Sequence, residues 1–571
     1  MSMEPMPWPE PVGEVVRAVR AKNYGRRTPL AVAVRGRLGE LFPDQEYVQA
    51  FGRTGPAGWS PGRLALVTVL QMAENLTDRQ AADAVRDRLS WMYALGLDLG
   101  DTGFDHTVLT QFRDRVIAHG LEEKVLDLLL ARLKELGLLQ AGGKQRTDST
   151  HVISAVRDLN RLELAGESVR AAVQALSAAA PDWVAQVLDV SSWSRRYDTH
   201  IDVYRIPASA VGREQLAVSY AKDGYQLLRA VYDRCSPQWL RELPAVQVLR
   251  TVLVQNFRVD VDARGREHVT RRQDVTEGGD GRPPGALRIA SPYDLDTRWA
   301  AKRALFWNGF KLHVTETCTD AAEEDRHAPN LITDVATTAS TVPDIQALPG
   351  IHAREKERGL LPERHYLDAG YSSAEAMRTA LSRHGVALIT PALLDTSRQA
   401  RQKEGFATAN FTIDWKHRLA VCPMGQASSS WSPCRQGNRP VIVVTFAKLT
   451  CRPCPARPQC TRARSGARQL SLPGEPRAEV LLRQRRAEQD TDDWQADYAL
   501  RSGVEGTIRQ TVAVTGARRA RYRGQAKTHL EHVTGACALN IHRLDAWWNE
   551  RALDRARVSH LARLEISLTT T

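Results

Sequence analysis

Three carboxylates far apart in the chain have the clearest capacity for chemistry: Asp148, Asp368 and Glu505. Asp148 lies in the run from Gln145 to Ile153, short and β-branched after Gly142-Gly143, which reads as a strand. An acid in a strand destined for a core is costly unless a metal ion or a basic partner compensates its charge. Alternation places Thr147, Ser149 and His151 on one face and Asp148, Thr150 and Val152 on the other. Asp368 ends a short apolar strand and precedes a turn at Gly370 and a helix capped by Ser372 or Ser373. Acids at strand mouths are common in α/β active sites, although a lone Asp there also serves to stabilise a turn. Glu505 falls in a helix predicted from Tyr498 to Gln510, with Tyr498, Arg501, Glu505 and Ile508 on one face. Arg501 and Glu505 could be only a surface i,i+4 pair, but Ile508 and Val512 extend the stripe and suggest that it points inward. Three such carboxylates suit Mg²⁺, a hard ion that prefers oxygen donors. Two such ions can activate an attacking oxygen and stabilise a leaving one in an in-line phosphodiester displacement.

Two further groups of residues carry specific chemistry. Cys451-Arg452-Pro453-Cys454 is a CxxC with Cys460 six residues on and Cys422 upstream. These four thiolates could close a tetrahedral structural zinc site, with Cys434 an alternative fourth ligand and plain reduced thiols the alternative state. Cys235, Cys318 and Cys537 look unconnected. The run from Arg518 to Lys527 holds Arg518, Arg519, Arg521, Arg523 and Lys527, no acid and an interleaved Tyr522, a pattern suited to phosphate contacts. His151, pointing away from Asp148, reads as structural, and Trp431 as a core residue more than a base-stacking platform.

The elements that must position these residues fall into several domains, because 571 residues are too many for one core. From Ser60-Pro61 the pattern is helical: a buried helix from Leu64, a Thr77–Gln80 capping box opening Asp78 to Arg88, then Phe104 to Arg115 and Leu121 to Leu138. Helical segments are expected from Asp158 to about Gly265, strands at Phe310–Thr317 and Leu331–Thr337, and a helix from Val342 to Arg358. A strand is expected at Val386–Pro391, and closing helices from Leu530 to about Leu561. The expected domains are 1–140, 141–392 with a helical insertion at about 158–290, 393–490 and 491–571. A net charge of +12 and a pI near 9.4 fit a polyanionic partner, nucleic acid first. The start of the chain lacks signal-peptide character and there is no apolar run of membrane-spanning length. Eight cysteines in so long a chain do not suggest a disulfide scaffold, so a reducing cytoplasmic setting and no membrane association are expected. No Walker-type GxxxxGK[ST] loop occurs.

Taken in order, the segments Thr147–Leu164, Trp307–Cys318, His365–Ser373, Cys422 with Cys451–Cys460, and Tyr498–Lys527 resemble bacterial insertion-sequence DDE transposases. The likeness is to the group named eleven eighty-two, related to the insertion-sequence four and five families, with an InsH-type N-terminal domain. It spans roughly Arg63 to Trp548. The spacing Tyr498-x2-Arg501-x3-Glu505 is similar to the signature around the triad glutamate of the insertion-sequence four family. That signature continues to a lysine seven residues past the glutamate, where this chain has Val512; Arg509 or the 518–527 strip could supply the charge. The resemblance implies an α/β, RNase H-like core, a mixed β-sheet flanked by helices. An N-terminal all-helical DNA-binding domain precedes it and the Cys-rich stretch is inserted in it. It also implies Asp148, Asp368 and Glu505 as catalytic ligands of two Mg²⁺ or Mn²⁺ ions; Asp148 is expected to bridge them, because a central strand is the most rigid mount. Tyr498 and Arg501 would hold the DNA. Transposon-end and target DNA would be the partners, at least a dimer would act in synapsis, and the setting would be the bacterial cytoplasm and nucleoid. The rivals are a metal-dependent nuclease that only cuts, and a non-catalytic or zinc-dependent DNA-binding protein derived from a transposase.

Overall fold

The computed structural model describes residues 5, 7–23, 27–52, 58–201, 206–273, 281–319, 329–392, 397–402, 404–436, 439–464, 466–474 and 476–550. It is a mixed α/β fold built around a curled six-stranded sheet. The strands are β1 (Lys144–Ile153), β2 (Arg298–Lys302), β3 (Leu305–Cys318), β4 (Ile332–Ala339), β5 (Arg364–Leu367) and β6 (Ala387–Ile389). The long β3 is antiparallel to β1, β2 and β4, whereas β1, β5 and β6 run parallel. Most of β3 is buried on both faces, the mark of a strand covered on both sides by other elements. At Gly309 the backbone of β1 comes so close that any Cβ would overlap Val152 O, so only glycine lets β3 cross there.

Helices cover the two faces. We label α1 (Pro61–Ala73), α2 (Asp78–Asp87), α3 (Thr107–Ala118), α4 (Lys124–Glu135), α5 (Arg161–Ala179), α6 (Ala210–Tyr232), α7 (Pro244–Asn256), α8 (Leu348–Glu357), α9 (Ala374–His384), α10 (Pro476–Glu488), α11 (Gly503–Thr515) and α12 (Gln525–Trp548). Along β1, Gln145 reaches Glu355 of α8 while its neighbour Arg146 reaches the Leu500 carbonyl just before α11. Adjacent strand residues point to opposite faces, so α8 and α11 flank the sheet from opposite sides. The long α12 lies on the α11 side and carries the N-terminal helices: Leu66, Phe112, Leu129, Phe310, Val314, Val533 and Leu539 share one core.

Several starts and stops follow local chemistry. Ser60 caps α1 by accepting from Arg63 N, with Pro61 in the first turn, and α2 opens on a complete Thr77–Gln80 capping box. Ser373 caps α9. Other expectations are corrected. The helical region ends at Asn256, not near Gly265. Phe257–Val261 and Glu267–Arg271 form a hairpin, where alternation and a turn with Gly265 at φ 75° override helix. The single helix expected from Tyr498 is broken. Asp492–Tyr498 is helical, Ala499–Ser502 is a 3₁₀ turn, and α11 begins only at Gly503. The buried stripe of α11 is Val504, Thr507, Thr511 and Thr515, so the Glu505 face is not the inward one. The expected helices beyond Glu550 lie outside the described residues.

The Cys-rich stretch has its own small sheet, β7 (Ser430–Gln436), β8 (Arg439–Thr445) and β9 (Gln469–Pro473), over a core of Phe411, Val444, Phe446, Leu470 and Leu472. Trp431 packs edge-on against Trp415 at 5.1 Å, as a packing residue rather than an open platform. Where the chain enters and leaves this unit, Ala392 N donates to Gln489 Oε1 at 2.9 Å. Among the described residues no helix is long and apolar enough to cross a membrane.

A charged cluster fastens the N-terminal helices to the sheet. Arg358 donates to Glu123 at 2.6 Å, Asp127 at 2.7 Å and Asp334 at 2.6 Å. Arg354 pairs with Asp334, and His529 of α12 with Glu123, each at 2.7 Å. Burial alone would raise the Glu123 carboxyl, but His529, Arg358 and Arg354 together hold it at about 2. Glu123→Gln is expected to cost about 1.5–3 kcal/mol, the range for hydrogen bonds to charged groups. Because the folded pKa lies below the unfolded one, this stabilisation is complete above the usual carboxylate range and fades as pH falls toward 2. Urea unfolding of both proteins at pH 7 and pH 3 checks it; a gap of equal size at both values would refute the assignment.

Candidate active site

The parallel ladder between β1 and β5 runs from Lys144–Arg364 to Thr147–Leu367 and stops there. Asp148 and Asp368 are the next residues on the two strands, so both acids sit where neighbouring strands part. Asp148 has a side chain only 15% exposed; its Oδ1 accepts from Ser149 N at 2.7 Å and its Oδ2 from Arg501 Nη1 at 3.0 Å. Burial, reinforced by the charge of Asp368, raises its pKa despite the Ser149 and Arg501 bonds. Asp368 caps the 3₁₀ turn Ala369–Tyr371 through Gly370 N at 2.8 Å, and Thr390 at the end of β6 donates to its carbonyl at 2.9 Å.

Glu505 stands in the first turn of α11, its side chain 61% exposed, and accepts from Arg501 Nη2 at 2.7 Å. One guanidinium therefore joins Asp148 and Glu505. That is the basic partner whose need the strand acid signalled. A side chain at Gly503 would overlap the Arg146 guanidinium, so glycine here lets α11 start hard against β1. The helix is then fixed by Glu316 on β3, fully buried, which binds Arg146 and Arg543 at 2.7 Å and Thr507 at 2.6 Å. Tyr498 donates to Leu367 O at 3.1 Å, next to Asp368, and stacks on Trp494 at 4.7 Å. Burial and the two aspartates push its hydroxyl up to about 12 against the pull of Arg501.

Sequence patterns missed the polar layer beneath these acids. Asp344, which follows Pro343, accepts from Ser149 Oγ at 3.0 Å and Lys311 Nζ at 2.8 Å. A Cβ on Gly370 would lie 2.9 Å from Asp368 Oδ1 and 3.2 Å from Asp344 Oδ2, so the Gly370 turn threads between two carboxylates. His313 meets Tyr371 Oη at 2.6 Å. The only local signal for Asp344 was a helix start, which many acids provide.

The basic strip divides. Arg518 and Ala520 bond the backbone of Ile153, and Arg518 also donates to Thr150 Oγ1 and the His151 carbonyl, so the strip extends the sheet beside the far end of β1. Asp148 thus lies between the end of β5 and this added edge. Three of its five basic side chains, Arg518, Arg521 and Lys527, have partners within the protein. Arg521 binds Leu76 O, Asn75 Oδ1 and Thr515 O, and Lys527 pairs with Asp114 at 2.7 Å. The run has no acid of its own, but the fold brings partners to it from distant segments. Arg519 and Arg523 remain exposed. His151 lies between Arg518 and Trp307, as a structural residue.

Cys422, Cys451, Cys454 and Cys460 line one cavity, while Cys434 is exposed on β7 and outside it. Burial, together with the three neighbouring thiols, pushes the Cys460 thiol up against the pull of Arg468. Cys318 and Cys537 are buried and Cys235 is exposed. Among the described residues no three His, Cys, Asp or Glu side chains are gathered at metal-holding spacing as they stand. That holds for the three carboxylates and for the four thiols alike.

Residues 421–545 match the family model described as Transposase DDE domain, and residues 31–115 the model described as Transposase domain (DUF772). The first match contains Glu505 and the four clustered cysteines but stops short of Asp148 and Asp368; the second covers α1, α2 and most of α3. Two segments of the chain are thus similar to transposase domains. No curated protein and no solved structure matches it.

Proposed function

We propose that this protein is an insertion-sequence DDE transposase that cleaves the ends of its element and joins the freed 3′-hydroxyl to target DNA. The observation that carries this is the meeting of Asp148 and Asp368 at adjacent strand mouths, with Glu505 tied to Asp148 through Arg501. A mixed sheet flanked by helices, with acids on its central strands and on a late helix, supports an RNase H-like core. The two transposase-type segments support the same class.

The donor set fits Mg²⁺ or Mn²⁺, since it is made of carboxylate oxygens, one pair of them on a side chain only 15% exposed. Asp148, Asp368 and Glu505 would hold the ions. When bound, the ions supply activation of the attacking oxygen and stabilisation of the leaving one. The chain's own groups do the rest. Arg501, already beside the acids, is placed to pair with the scissile phosphate once it releases them. Tyr498 bounds the same opening and would hold the flanking strand. Water attacks the phosphodiester at the element's end and displaces a 3′-hydroxyl; that hydroxyl then attacks a target phosphodiester in the same site and displaces the target strand's own 3′-hydroxyl. Exposed Arg519 and Arg523 would contact phosphates, and the N-terminal helices, of InsH type by resemblance, would bind end DNA. Two ends brought together require at least a dimer in action, in the bacterial cytoplasm.

The test is a pre-cut transposon-end duplex incubated with supercoiled plasmid and Mg²⁺ or Mn²⁺. Joined product is expected. Nicks without joining would reduce the protein to a nuclease, and binding without either product would leave a DNA-binding protein.

A further inference from the structure

Away from the acids, the Cys-rich unit contains a second set of ligands brought together by tertiary folding. Cys422 sits in a tight turn with Gly425 at φ 75°, closed by Gly425 N donating to Cys422 O at 2.8 Å. The next amide, Gln426 N, donates to Cys422 Sγ at 3.4 Å. Cys451 and Cys460 each end a one-turn helix, Lys448–Cys451 and Arg457–Cys460, with Cys454 between them. All four sulfur-bearing residues face the same cavity of about 30 Å³, which has room for a water-sized occupant.

We propose that this cavity is a structural zinc site closed by Cys422, Cys451, Cys454 and Cys460. The cavity lining holds no acid and no histidine, so thiolate is the only anionic donor and the site selects a thiophilic ion over Mg²⁺. Four thiolates around a dication leave two negative charges, and the lining supplies two cations, Arg457 and Arg468. Arg468 is fixed there by donating to Cys460 O at 2.8 Å. The four cysteines line the cavity but are not at metal-holding spacing as they stand. Closing to the bond length of about 2.3 Å is a movement of half-buried side chains within turns that already face one another. The need for a staple is plain from the core of this unit: seven buried apolar residues hold strands from Thr412 to Pro473. The ion would hold the turns beneath β8 and β9 and take no part in strand cleavage.

The experiment uses full-length protein as purified under reducing conditions. Elemental analysis is expected to find about one zinc per chain. Cys451→Ser with Cys454→Ser should lose it, whereas Cys434→Ser, on the exposed strand, should keep it. Because the double variant could unfold the unit, Co²⁺ exchange into the wild-type chain gives a readout without mutation. Thiolate-to-cobalt charge-transfer absorption together with tetrahedral d–d bands is expected. Iron instead of zinc, Co²⁺ without the thiolate bands, or cysteines found paired as disulfides would each overturn the site. Asp148→Asn should leave the zinc content unchanged, so failure of the zinc site and failure of the proposed transposase chemistry are separately visible.

Discussion

Asp148→Asn is expected to reduce end cleavage by more than about a hundredfold, because even partners behind a metal ligand are worth ten- to a hundredfold. Asp368→Asn and Glu505→Gln should do the same, and all three should bind end DNA nearly as the wild type does. The wild-type carboxylate of Asp148 is strained electrostatically: burial and Asp368 raise its pKa in the fold. A raised acid pKa means that the ionised form costs stability once pH exceeds the unfolded value. Asparagine removes that cost but also loses the charge facing Arg501, so thermal stability near pH 7 should be unchanged or slightly higher. Cleavage and unfolding measured on the same preparations check this. Wild-type-like cutting by any one variant would remove that residue from the site, and a large fall in melting temperature for Asp148→Asn would mean that the acid is structural.

Glu316→Ala should have the largest effect on stability, about 3–5 kcal/mol, the usual consequence of removing one partner from a buried ion pair. Glu316 is fully buried and receives Arg146, Arg543 and Thr507, so its loss leaves two nearly buried guanidinium groups without their counter-charge. Burial by itself would raise its pKa, yet Arg543 and Arg146 hold it below the ordinary value. Its contribution is therefore present above the unfolded glutamate pKa and is lost as pH falls through the folded one. Chemical unfolding at pH 7 measures the deficit. Cleavage should fall too although Glu316 touches no catalytic acid, because it ties β1, β3, α11 and α12 together and so places Glu505. A variant within 1 kcal/mol of wild type would show that the arginines find other partners. Full cleavage at that stability would show that α11 is positioned otherwise.

The chain spells out its strands and helix starts locally. Ser60-Pro61, the Thr77–Gln80 box and Ser373 cap helices where composition says they should, because caps depend on a few neighbouring atoms. An acid inside a β-branched run, an acid at a strand end and an acid on a late helix were visible as candidates for the same reason. The 3₁₀ break at Ala499–Ser502 was not, since the helical spacing runs on through it, and the hairpin at Phe257–Arg271 had its alternation and Gly265 turn read as part of a helical region.

Local sequence thus determined residue types, caps and strand alternation, all of which rest on interactions over a few residues. Folding decided which charges meet. It set Arg501 between Asp148 and Glu505 and brought Asp344 beneath Gly370. It paired Arg521 with Asn75 and Lys527 with Asp114, and lined one cavity with four cysteines. Such pairings join segments tens to hundreds of residues apart, and electrostatic partners depend on distance in space, which spacing along a chain does not encode.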